Sequence, residues 1–152
     1  MKTLANSSDK EELLRRLKTV RPDSPRRWGK MTPHQMICHL NDAYLAYVGE
    51  KKVTPAPAWF PRTIVRVVAV WTPLPWARGF PTAPEVDQLI GGTPPVEFER
   101  DVRELEMMIE RYSKLLSDYP WPAHPAFGRM SLASWMRLGY LHTNHHLRQF
   151  SA

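Results

Sequence analysis

Six histidines fall in this chain, and three crowd the run Tyr140-Leu141-His142-Thr143-Asn144-His145-His146-Leu147-Arg148-Gln149-Phe150. On a helix, at about 100° per residue, His142 and His146 lie about 40° apart with their imidazoles one turn apart. Two neutral imidazoles so placed can offer nitrogens to one divalent ion, and imidazole is the side chain that zinc, nickel and related metals take most often. His145 lies about 60° to the other side of His142 and is a second candidate, whereas Asn144 points away. Trp135, Leu138 and Gly139 continue the same face toward the N-terminus and Gln149 continues it toward the C-terminus. The histidines therefore emerge from a stripe of core residues and need a partner there.

Catalytic zinc sites use three protein ligands and leave one position open. A candidate for the third ligand is His39, which shares a helical face with Gln35, Met36, Asp42, Ala43 and Ala46. Asp42, one turn from His39, is the candidate catalytic residue: it could hold a ligand imidazole in one tautomer, join the metal as a fourth ligand, or accept a proton. Gln149 is a weaker candidate for the same supporting role. Cys38 is rotated about 100° from His39 and reads as a small buried hydrophobe. His34 reads as a surface residue. A histidine pair four apart also arises as packed, hydrogen-bonded polar residues, and spacing alone does not make the two helices neighbours.

The elements that must position these residues are helical. Ser8-Asp9-Lys10-Glu11 matches a capping box that predicts a first helix to about Val20, with Leu13, Leu14, Leu17 and Val20 on one face. Thr32-Pro33-His34-Gln35 predicts a second start, with Thr32 as cap, Pro33 in the first helical position and Gln35 closing the box; Gly49 stops that helix after about Val48. Between residues 49 and 94 prolines recur, and Ile64, Val65, Val67, Val68 and Val70 predict a short helix from Arg62 to Trp71, with strand as the alternative. Phe98, Val102, Leu105, Ile109, Tyr112 and Leu116 repeat at helical spacing and predict a third long helix from about Val96 to Ser117. Ser131 can cap the last helix, which runs to about Arg148. The short connector before it makes the last two helices antiparallel neighbours, and the long crossover can join parallel ones. The sum is an all-α four-helix bundle, one domain over residues 1–152.

Composition narrows the function. A chain of 152 residues, 43% hydrophobic, can bury a core without staples. One cysteine excludes an internal disulfide and fits a reducing compartment, and the N-terminal residues lack the apolar core of a secretory signal, so the expectation is a soluble, cytoplasmic protein. The net charge of +6 is scattered among acidic neighbours rather than gathered in a stripe, which argues against nucleic acid. The apolar Trp59 to Trp76 stretch is broken by Pro61, Arg62, Arg66, Pro73 and Pro75, which argues against a spanning helix. That stretch makes a homodimer reasonable. Trp71, Trp76 and Phe80 are candidates for a pocket wall, or simply cover the bundle end.

Trp28-Gly29, the His39 helix after Met31-Thr32-Pro33, the connector His124-Pro125-Ala126-Phe127-Gly128 and the ending His142-Thr143-Asn144-His145-His146-Leu147-Arg148-Gln149-Phe150 together resemble the DinB/YfiT-like superfamily, and more narrowly its bacterial branch known as domain of unknown function 1569. The resemblance covers nearly the whole chain. It implies an up-down-down-up four-helix bundle whose divalent metal, zinc or nickel, is held by His39, His142 and His146. His145 would then stand outside the ligand set, turned toward His124 or solvent. Related members transfer or add low-molecular-weight thiols such as bacillithiol or mycothiol to electrophiles, so the resemblance implies a thiol transferase. A metal-dependent hydrolase would use the same three histidines, and a non-catalytic helical interaction module is the remaining alternative.

Overall fold

The computed structural model describes residues 1–57, 59, 61–72, 76, 78–79 and 82–152. Among these residues the structure is all-α: no strand forms, and the bridge between His124 and Gly128 is isolated. Helix α1 spans Ser7–Leu17. Its cap is Asn6 rather than Ser8, because the Asn6 carboxamide oxygen accepts from the Asp9 amide at 3.1 Å and draws in the Ser8 hydroxyl. It ends before Val20, which is still buried, in the turn that follows. Helix α2, Pro33–Tyr47, starts as its capping box requires, with Thr32 and Gln35 satisfying each other's backbone amides.

The crossover holds the short helix α3, Arg62–Arg66, which widens into a π-helical turn over Val67–Trp71. A 3₁₀ turn follows at Pro84–Val86. Helix α4, Phe98–Ser113, is shorter than its periodicity suggests, because the Glu97 carboxylate caps the Glu99 and Arg100 amides. Val96 and Leu116, at the ends of the expected helix, are accordingly exposed. Helix α5, Leu132–Gln149, is capped by Ser131 as expected.

Leu13 and Leu17 of α1, Met36, Ile37 and Leu40 of α2, Leu105 and Ile109 of α4, and Trp135 and Leu138 of α5 share one buried cluster. Helix α2 packs on α4 and α5, and α5 packs also on α1 and the π turn. Helix α4 meets α5 through Tyr112, whose hydroxyl donates to the Trp135 carbonyl at 2.7 Å. The connector fills the space beside that contact: Trp121 stacks on Trp135 at 5.3 Å and sets an edge on Tyr112. Close pairing of α5 with α2 is what the site needs, because it brings the His39 face opposite the His142 face.

Candidate metal centre

The structure brings His39, His142 and His146 into one cluster. His142 Nε2 lies 3.1 Å from His39 Nε2 and 3.1 Å from His146 Nε2. Imidazole nitrogens about 2.0–2.1 Å from one ion at tetrahedral angles stand about 3.3 Å apart, and at octahedral angles about 2.9 Å apart. The observed separations fall between the two. His39 and His146 are buried and His142 is nearly so.

A 3.1 Å gap between imidazoles is also an ordinary hydrogen bond, so the far nitrogens decide what the near ones can do. His39 Nδ1 lies 2.7 Å from the Val86 carbonyl, which can only accept; the proton is on Nδ1 and a lone pair on Nε2. His146 Nδ1 lies 2.9 Å from Gln149 Oε1. The amide orientation of Gln149 follows from its other end, where Nε2 donates to the Trp28 carbonyl at 2.7 Å. His146 therefore also carries its proton on Nδ1 and aims a lone pair inward. His142 Nδ1 faces the Tyr47 hydroxyl at 2.9 Å, a group that can donate or accept and so permits either tautomer. With its proton on Nδ1, all three Nε2 lone pairs converge, which is the donor set a divalent ion requires.

Electrostatics favours the same state. Burial pushes the His39, His142 and His146 imidazoles below their ordinary value, and for His142 and His146 the neighbouring histidines push further down. Protons therefore compete weakly for these nitrogens near neutral pH.

The remaining candidates take other places. Asp42 makes no hydrogen bond to His39: its oxygens accept from Gln88 Nε2 at 2.7 Å, Thr93 N at 2.8 Å and Thr93 Oγ1 at 2.7 Å, and pair with Lys51 Nζ at 2.7 Å. It staples the crossover to α2, and the orienting role expected of it falls to the Val86 carbonyl. Gln149 does hold a ligand candidate. His145 turns toward Trp28 and Trp76 rather than His124, with ring centroids 5.6 and 5.9 Å away. His124 packs flat on Phe127 at 4.4 Å, and its Nδ1 accepts the Ala126 and Phe127 amides. Trp76 stacks on His142 at 5.6 Å; its indole N–H donates to the Ala69 carbonyl in the π turn. Trp71 is 40% exposed and covers no histidine ring, and Phe80 lies outside the described residues.

His34 is not a free surface residue, because its Nε2 lies 2.8 Å from Asp101 Oδ2, beside the Cys38 thiol. This second His, Cys and Asp group is a poor cation site. Asp101 already accepts from Val96 N and Arg100, burial raises the thiol to about 12 so that it stays neutral, and the guanidinium would repel an ion. Sequence reasoning missed Tyr47, Val86 and the Trp28 carbonyl. Two of these act through backbone carbonyls, which leave no trace in side-chain identity.

Fold and site together define a helical protein whose core holds three converging imidazoles. The chain belongs to the family described as Protein of unknown function (DUF1569), which it matches over residues 6–152, a span that includes every residue of the centre. Neither a curated protein nor a solved structure matches it.

Proposed function

We propose that this chain is a metal-dependent enzyme in which His39, His142 and His146 hold one divalent ion, zinc or nickel, and that α1, α2, α4 and α5 form the four-helix bundle of the DinB-like superfamily. The observation that carries the proposal is the convergence of the three Nε2 atoms, two of them committed to lone pairs by carbonyl-type acceptors behind them. A bound ion would supply Lewis acidity, lowering the pKa of a low-molecular-weight thiol or of water in its open position. The chain's own residues do the rest. The Val86 carbonyl and Gln149 keep two imidazoles in the ligating tautomer. The Tyr47 oxygen accepts a hydrogen bond from His142 Nδ1–H when that ring turns its Nε2 lone pair inward. Trp76 covers one side of His142 and keeps water from it. A thiol transferase is the preferred reaction, with hydrolysis as the variant in which water takes the thiol's place.

Elemental analysis of untagged protein after loading with zinc or nickel is the test. One ion per chain is expected, lost in His39→Ala, His142→Ala and His146→Ala and kept in His34→Ala. An undiminished ion in His142→Ala sinks the proposal. A thiol-consumption screen with electrophiles, run beside ester and amide hydrolysis, then separates transferase from hydrolase. One observation favours a second reading, a helical dimerisation module: Ile64, Val67, Val68 and Trp71 of the crossover are large, apolar and exposed. Sedimentation equilibrium of the wild type against Ile64→Asp decides whether that face pairs.

A further inference from the structure

Beside the three histidines stands a fourth ring whose nitrogens make no hydrogen bond among the described residues. His145 packs edge-on to His146 at 5.2 Å and is in ring contact with the indoles of both Trp28 and Trp76. Trp76 spans the two places, since it also stacks on His142. Over the Trp28 ring sits Arg78, its guanidinium carbon 4.5 Å from the ring centroid. Arg78 is exposed and has no carboxylate or other hydrogen-bond partner among the described residues.

The charges here are one-sided. The charged side chains that bear most on His145 are the cations Arg148 and Arg78. Other arginines are held in place: Arg100, Arg103, Arg111 and Arg16 pair with carboxylates, and Arg62, Arg66 and Arg137 donate to backbone carbonyls. A guanidinium held over an indole can present its N–H fork to an oxyanion, and neighbouring indole and imidazole rings offer faces against which a planar group can pack.

We propose that His145, Trp28, Trp76 and Arg78 form a subsite at the mouth of the centre for an oxyanion, carboxylate or phosphate, carried on a planar group of the substrate. The proposal rests on the three histidines being the reactive centre, since that is what gives the mouth its use. Arg78 takes the oxyanion, His145 supplies a further hydrogen bond, and the indoles hold the planar part so that the substrate's other end lies toward His142. The site thus takes an anionic organic molecule end-on.

The test uses the full chain, metal-free, with nitrogen-15 spectra of the indole N–H groups followed during titration with benzoate, phenyl phosphate and the neutral benzamide. Saturable shifts of Trp28 and Trp76 are expected with benzoate or phenyl phosphate and not with benzamide at equal concentration. Arg78→Gln, at an exposed position that leaves the fold intact, should weaken the anion about tenfold, as expected for losing one charge-assisted hydrogen bond. Raising the ionic strength should weaken it too. Equal shifts with benzamide, no shift with either anion, or undiminished binding in Arg78→Gln overturns the subsite. Metal stoichiometry measured on a parallel batch loaded with zinc keeps the two ideas apart: ion binding without anion binding overturns the subsite alone, and anion binding without ion binding overturns the metal centre and with it the subsite's place beside a reactive centre.

Discussion

The most revealing single change is Gly29→Ala. Gly29 has φ +80°, and a Cβ built there would stand 2.5 Å from Gln149 Nε2. Two costs follow. An alanine in the left-handed region loses about 1–2 kcal/mol, whatever surrounds it. The second cost is specific: Gln149 is 2% exposed and its amide is hydrogen-bonded at both ends, so it must give up about 1 Å against those bonds to reach ordinary contact. That lengthens the 2.7 Å bond to the Trp28 carbonyl beyond hydrogen-bonding range and releases the oxygen that holds His146 Nδ1. Loss of an outer partner of a ligating histidine weakens metal binding about 10–100-fold, or about 1.4–2.7 kcal/mol.

Gly128→Ala is the matched control. Gly128 has φ +68° with nothing within 4 Å of a built Cβ, so it carries the backbone cost without the clash. Both variants should lose about 1–2 kcal/mol of stability in metal-free denaturant unfolding, with Gly29→Ala losing more. Competition against a chromophoric chelator should show weakened metal binding only in Gly29→Ala. If the two variants bind metal equally well, Gln149 is not what holds His146, and the strut from the Trp28 turn to the centre is wrong.

Asp42→Ala strands Thr93 N, Gln88 Nε2 and Lys51 Nζ around a 1% exposed position, so it should destabilise the protein by about 3–5 kcal/mol, while the folded fraction keeps its metal; loss of the ion without loss of stability would return Asp42 to the centre. Gly139→Ala sets a helix-propensity gain of about 1 kcal/mol against overpacking of about 1–3 kcal/mol, because its Cβ would stand 2.8 Å from Leu4 Cδ1 and 3.0 Å from Tyr112 Cε1; a net loss in unfolding free energy is expected, and a net gain would show that α5 has slack there. Acid should destabilise the metal-free protein through its buried histidines. Burial lowers His124 to about 4, and it lowers His39, His142 and His146 as well, whereas the unfolded chain takes up protons near 6.5. The unfolded state then binds more protons, so this contribution is complete above about pH 6.5 and is lost as pH falls toward the folded values. A melting temperature that stays level from pH 7 to pH 5 would refute it.

Periodicity and caps determined most of the helical content from sequence. Thr32, Gln35 and Ser131 fix their helix starts through contacts within three residues, which is why those boundaries were legible. The ends of α1 and α4 were less so, because Asn6 and Glu97 outcompete neighbouring caps by geometry that residue types do not reveal. The spacing of His142 and His146 is likewise a local property of one helix.

Tertiary structure alone decided the rest. That His39 meets this pair depends on α2 packing against α5 across a separation of about a hundred residues, and no local rule carries that information. The tautomers depend on a carbonyl at Val86 and another at Trp28, groups every residue possesses, which become specific only by position. Asp42, one turn from His39 and plausible as its partner, was instead taken by the returning crossover, since a buried carboxylate is drawn to whichever donors the fold brings closest. Side-chain chemistry was written in the chain; which group each imidazole faces was settled by packing.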